Sequence, residues 1–79
     1  MAKKKTKFGY TLFDYLSAYE GDAPISIIHN IDGDICRGLT LEEVREQVWY
    51  KDYRDEYVIS FKIIKDAKVK NRYVLLLMM

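Results

Sequence analysis

The chain has one histidine, His29, and one cysteine, Cys36, and both fall within a single predicted hairpin. In one pairing register of that hairpin the two face each other. A thiol beside an imidazole can become a nucleophile, because the imidazolium stabilises the thiolate. The pattern supplies no third orienting group and no oxyanion pocket, and both residues sit among isoleucines. A small apolar Cys and a hydrogen-bonded His account for them, so no catalytic residue and no enzyme is expected. Asn30, Asp32 and Asp34 are acids and amides at alternate positions, but the segment lacks the twelve-residue spacing and terminal Glu of a calcium loop. With a single His and a single Cys there is no transition-metal ligand set, and the glycines at 9, 21, 33 and 38 form no phosphate loop. No metal and no cofactor is expected.

Binding chemistry is better represented. The stretch from Trp49 to Tyr57 holds four aromatics and an Arg in nine residues. Trp, Tyr and Arg combine large contact area with a polar tip and dominate binding hot spots. Trp49, Tyr50, Tyr53, Arg54, Asp55 and Glu56 are therefore the predicted partner-binding residues. In the competing arrangement Trp49 and Tyr57 plug the end of the core while Tyr50 and Tyr53 cover it. A second candidate surface is basic. Lys65, Lys68, Lys70 and Arg72 cluster about one hairpin loop, and Lys3, Lys4 and Lys5, with Lys7, form an N-terminal arm able to reach a phosphate backbone.

The whole chain, 79 residues and 9.4 kDa, carries a formal net charge of only +1. That total conceals +4 over residues 1–7, −7 over residues 8–61 and +4 over residues 62–79. An acidic body of this kind can imitate a nucleic acid and occupy a basic groove. At 49% hydrophobic and 32% charged the composition is that of one folded domain, with a small core and no deep cleft. Residues 1–9 are predicted to be a basic mobile arm, and residues 10–79 one domain. No uninterrupted apolar stretch follows the basic start, and the longest run, Tyr73 to Met79, is far below the roughly 20 residues of a membrane span. One thiol permits no internal disulfide, so a cytoplasmic setting is expected, with no membrane partner.

The elements that must position these residues can be read in order. Thr11 caps a short helix over about residues 12 to 19, with Asp14 completing a capping box, Tyr10 and Tyr15 a hydrophobic staple, and Leu12, Tyr15, Leu16 and Tyr19 one apolar stripe. Ile25 to Ile31 reads as a strand. It turns at Asp32-Gly33 into a short partner, with Ile31 opposite Ile35 favoured over His29 opposite Cys36. Thr40 and Glu43 repeat the capping box for a second helix, whose buried stripe is Leu41, Val44 and Val48. Tyr57, Ile59, Phe61 and Ile63 alternate as the buried face of a third strand, ending near Ile64. Asp66 to Asn71 is a polar loop. Tyr73 to Met79 shows no alternation, which predicts cover on both faces, in the middle of the sheet or across a homodimer interface. The order α-β-β-α-β-β predicts an α+β two-layer fold, with two short helices on one face of a mainly antiparallel four-stranded sheet.

This arrangement resembles the small uncharacterised proteins of prophages and mobile elements in Gram-positive bacteria. The segments that carry the likeness are Thr11-Leu12-Phe13-Asp14-Tyr15-Leu16, the Ile25 to Ile31 strand, the Asp32-Gly33 turn, Gly38, the Thr40 to Gln47 helix and the Tyr57 to Ile64 strand. The resemblance implies a non-enzymatic protein that occludes or bridges a macromolecular partner. Its sharpest form is a phage-type inhibitor of host nucleic-acid machinery, such as an anti-CRISPR protein, bound to a host protein or protein–nucleic acid complex. The alternative is a small nucleic-acid-binding protein that uses the basic arm and the loop at residues 65–72.

Overall fold

The computed structural model describes residues 9–79, so the lysines at 3, 4, 5 and 7 lie outside the described residues. Helix α1 (Leu12–Ala18) begins where Thr11 accepts from the Asp14 amide and the Asp14 carboxylate accepts from the Thr11 amide. Helix α2 (Leu41–Glu46) opens with the same reciprocal pair between Thr40 and Glu43. These boxes satisfy amides that a helix start leaves without partners. Helix α3 (Tyr50–Tyr53) is a single turn that the sequence reading had not separated from α2. The chain breaks from α2 at Gln47, and Val48, expected in the buried stripe, is therefore exposed.

The strands are β1 (Ile25–His29), β2 (Gly33–Leu39), β3 (Ser60–Asp66) and β4 (Arg72–Met78), in the spatial order β2-β1-β4-β3. Both hairpins, β1 with β2 and β3 with β4, are antiparallel, while the central pair, β1 with β4, is parallel. The sheet is thus mixed rather than mainly antiparallel, and the short helices number three rather than two. Hydrophobicity explains the order: β1 and β4 are the most apolar strands, and pairing them puts both in the middle with the more polar β2 and β3 outside. The lack of alternation in β4 is explained by this central place. Its backbone has hydrogen-bonded neighbours on both sides, so a second copy cannot add to the sheet at this strand's edge.

One cluster of buried side chains joins the helices to the sheet. Leu12 and Leu16 of α1, Val44 of α2 and Tyr50 of α3 pack with Ile25 and Ile27 of β1 and Leu75 and Leu77 of β4. The parallel register sets Ile25 beside Leu75 and Ile27 beside Leu77, so these four share a face. On the other face Arg37 Nη1 donates to Asp66 Oδ2 at 2.9 Å, joining the two outer strands over the intervening pair. The turn of 3-10 helix at Ala67–Val69 reaches the same face. A Cβ added at Gly38, whose φ is +70°, would lie 2.7 Å from the Val69 side chain. Only glycine combines that backbone conformation with so close an approach.

The β1–β2 turn differs from both registers considered above. His29 pairs with Gly33, Ile28 with Asp34 and Ile27 with Cys36, with two register shifts along the ladder. Ile31 consequently stands at the exposed tip of the turn instead of pairing with Ile35. The side chain of His29 decides this, as its ring accepts the amides of Ile31 and Asp32 and closes the turn on itself.

Candidate functional site

The turn at residues 30–32 and the end of α3 are clasped together by four polar side chains. Amides of Ile31 and Asp32 donate to His29 Nδ1 at 3.1 and 3.2 Å, so this nitrogen carries no proton. The proton sits on Nε2, which donates to Glu56 Oε1 at 2.8 Å. The Tyr53 hydroxyl donates to Asp32 Oδ2 at 2.6 Å, and its ring lies 5.3 Å from the imidazole and 6.2 Å from the Trp49 ring. The hydrogen bond to Asp32 is the chief reason that the Tyr53 phenol is pushed up to about 12, since it holds the proton in place.

Both ring nitrogens of His29 are thus committed, and the tyrosine is held protonated. The imidazole and the phenol are therefore occupied in holding the turn to α3, while the carboxylates of Asp32 and Glu56 stay nearly half exposed. Cys36 lies elsewhere, opposite Ile27, with its thiol directed at the Ile25 carbonyl at 3.8 Å. Burial pushes this thiol up to about 11, which withholds the thiolate. The structure therefore does not bring His29 and Cys36 together. Among the described residues no group of three His, Cys, Asp or Glu side chains could hold a metal ion. None of their helices is long and apolar enough to cross a membrane. The hollow beside Ser26, Cys36, Arg37 and Asp66 is too small for a substrate-sized ligand, and its guanidinium is already bound by Asp66 and, at 3.2 Å, by Asp34.

The predicted partner-binding residues divide. Tyr50 is buried in the core cluster and is not available to a partner, because α3 turns its ring inward under Trp49 and Tyr53, which pack against the same cluster. Tyr53 and Glu56 hold the clasp. Arg54 and Asp55 remain exposed, but Arg54 also accepts the Phe13 amide at its carbonyl, and Glu56 that of Leu12, so this segment anchors α1. Of the basic residues, Lys65, Lys68, Lys70 and Arg72 are all exposed around the β3–β4 connection, and Lys65 Nζ lies 5.9 Å from the centre of the Tyr73 ring. Lys3, Lys4 and Lys5 belong to the residues not described.

The largest departure from expectation is the face predicted to be buried in the third strand. Ile59 is 73% exposed, Phe61 and Ile63 are each 55% exposed, and Tyr73 across from Lys65 is 62% exposed. Register places Phe61 and Ile63 on the same face as Leu77 and Leu75, toward the helices. Yet the helices lie over β1, β4 and the inner side of β2 and do not reach across β3. A seven-residue helix is about 10 Å long, and four strands span roughly 14 Å between the outer axes before their side chains are counted. Tyr15 of α1 reaches Phe61 at 5.9 Å and is backed by Tyr10 at 6.1 Å, forming the wall of an apolar shelf whose floor is β3. The alternation of residues 57–63 gives the face correctly, and the shortness of the helices was the sequence signal that this face would stay open. No protein family, curated protein or solved structure matches the chain.

Proposed function

We propose that this is a small non-enzymatic binding protein that meets a macromolecular partner with the uncovered outer part of its sheet. The observation that carries the reading is the shelf of Phe61 and Ile63 on the edge strand β3, with Ile59 just before it and Tyr73 on the neighbouring β4, all more than half exposed. Large apolar side chains grouped on a surface mark contact sites. His29 and Tyr53, by contrast, are engaged with the carboxylates of Glu56 and Asp32. In its narrower form the protein inhibits host nucleic-acid machinery in the anti-CRISPR manner, with the acidic body supplying complementarity to a basic groove.

Capture of partners from a bacterial lysate tests the site. Phe61→Ser with Ile63→Ser should abolish capture and leave the circular dichroism spectrum unchanged. Capture that survives there and disappears on charge reversal at Arg54 and Asp55 would move the contact to the α3 segment.

A second reading is favoured by the placement of Tyr73 against Lys65, within a group of exposed Lys68, Lys70 and Arg72. Bases stack on exposed rings and phosphates pair with neighbouring cations, which suits single-stranded nucleic acid. Titration with labelled single-stranded DNA and RNA at low salt separates the two readings, since absence of binding removes this one.

A further inference from the structure

We propose that two copies of this chain pair edge to edge through β3, antiparallel about Ile63, and join their sheets into one of eight strands. This rests on reading the outer sheet as a contact surface, and it names the partner. An open strand edge presents unpaired amides and carbonyls that only another strand satisfies along its whole length. Of the two edges, β2 carries two register shifts, whereas β3 meets β4 over seven consecutive pairs from Ser60 to Asp66 with no shift. A bulged edge resists pairing and a regular one invites it.

The free length of that edge is fixed at both ends. The Val58 amide donates to Tyr10 and the next amide, of Ile59, donates to Met78 of β4. Consecutive amides of an extended chain point to opposite sides. Residues 10–12 therefore occupy the outer side of residues 56–58, where Leu12 also donates to Glu56. At the other end the chain leaves the strand after Asp66, and Lys70 and Asn71, both with positive φ, turn it back into β4. The open edge runs from Ser60 to Asp66, and its midpoint is Ile63.

The amides of Leu75 and Met79 donate to Pro24 and Ile28, so Arg72, Val74, Leu76 and Met78 turn their backbone groups to β3. Their partners Ser60, Lys62, Ile64 and Asp66 face inward, while Phe61, Ile63 and Lys65 point their backbone groups outward. Pairing about Ile63 sets Phe61 against the partner's Lys65 and Ile63 against the partner's Ile63, so all of these outward groups find hydrogen bonds, with Ser60 beside the partner's Asp66 and Lys62 beside the partner's Ile64. On the shelf side Ile63 meets the partner's Ile63, and Phe61 meets the partner's Lys65, a cation on a ring of the sort Lys65 already forms with Tyr73. No lysine directly faces a lysine. Centring on Phe61 instead would drive the partner's Ile64 into Tyr10 and Thr11, and centring on Lys62 or Lys65 would oppose like charges. Only the Ile63 register uses the whole edge. Chemically the segment is its own complement, and that singles out a second copy.

Sedimentation velocity of the full chain over a concentration series is the first test, with a dimer expected. Ile63→Lys places two ammonium groups at the two-fold axis and should give a monomer whose melting curve matches that of the wild type diluted below its association range. The second test fixes the register. Opposed residues at a hydrogen-bonded position lie about 5.5 Å apart at Cα, within reach of a disulfide. In a Cys36→Ser background, Ile63→Cys should therefore form a covalent dimer in air, and Phe61→Cys, far from its own copy, should not. A wild type monomeric at every concentration, a dimer that survives Ile63→Lys, or equal cross-linking of the two cysteine variants would overturn the proposal. If the wild type is monomeric but serines at 61 and 63 abolish partner capture, self-pairing fails and the contact surface stands. If capture persists as well, both fail.

Discussion

Tyr50 and Tyr53 lie on one turn of helix and have opposite fates. The Tyr50 hydroxyl is buried without a hydrogen-bond partner among the described residues. A hydroxyl taken from water and left unpaired costs about 1 to 3 kcal/mol. Tyr50→Phe removes the group and keeps the ring, and it should raise stability by about 1 kcal/mol, measured as a shifted urea midpoint at constant slope. Tyr53 has its partner in Asp32, and its ionisation is moved from 10.0 to about 12. A group whose pKa is raised by folding contributes stability fully present below the unfolded value and lost as pH climbs through the folded one. Stability should therefore fall between about pH 10 and about 12, and part of that fall should vanish in Tyr53→Phe and in Asp32→Asn. Cys36 belongs to the same scale. With its thiol pushed up to about 11, alkylation at neutral pH should be slow in the native protein and should accelerate in denaturant.

Two strands of equal length, β3 and β4, divide the sheet's energetics between them. Leu77 is fully buried between β1 and β3, whereas Ile63 on the neighbouring strand is open to solvent. Leu77→Ala should cost about 3 kcal/mol through lost transfer energy and the cavity left behind. Ile63→Ser should stay within about 0.5 kcal/mol of the wild type in a monomer. Chemical denaturation of both variants, at a concentration where association is absent, checks the contrast. Equal losses would mean that the helices cover β3 as closely as β4. The local signals at this scale were plain in the sequence: both capping boxes follow directly from Thr11, Asp14, Thr40 and Glu43. Where α2 stops was not plain, because Val48 continues its apolar spacing while the chain breaks at Gln47.

Across the whole molecule the charge remains segregated. The β3–β4 connection gathers Lys65, Lys68, Lys70 and Arg72, while its acid, Asp66, is taken up by Arg37 from the far edge. If that end holds a nucleic acid, log affinity should fall linearly with log salt. Replacing Lys68 and Lys70 by Glu should then lower the slope by about 2. An unchanged slope would leave the lysines as solubilising residues. Self-association through β3 depends on backbone pairing and apolar contact, so it should persist at salt concentrations that abolish phosphate binding.

The sequence by itself determined the pieces: where the first two helices start, which segments are strands, that β4 is covered on both faces, and how the charge is distributed. These depend on neighbours a few positions apart, through caps, alternation and turn residues. Only the tertiary structure decided how the two hairpins join, because a parallel contact between β1 and β4 links segments about fifty residues apart through buried surface that no local pattern encodes. It also decided the fate of the candidate contact residues. Tyr50 entered the core and Tyr53 and Glu56 closed on the β1–β2 turn, while Phe61 and Ile63 stayed in solvent. The physical reason is one of area: helices this short pack on β1, β4 and β2, and the apolar face of the far edge strand, β3, stays open to solvent.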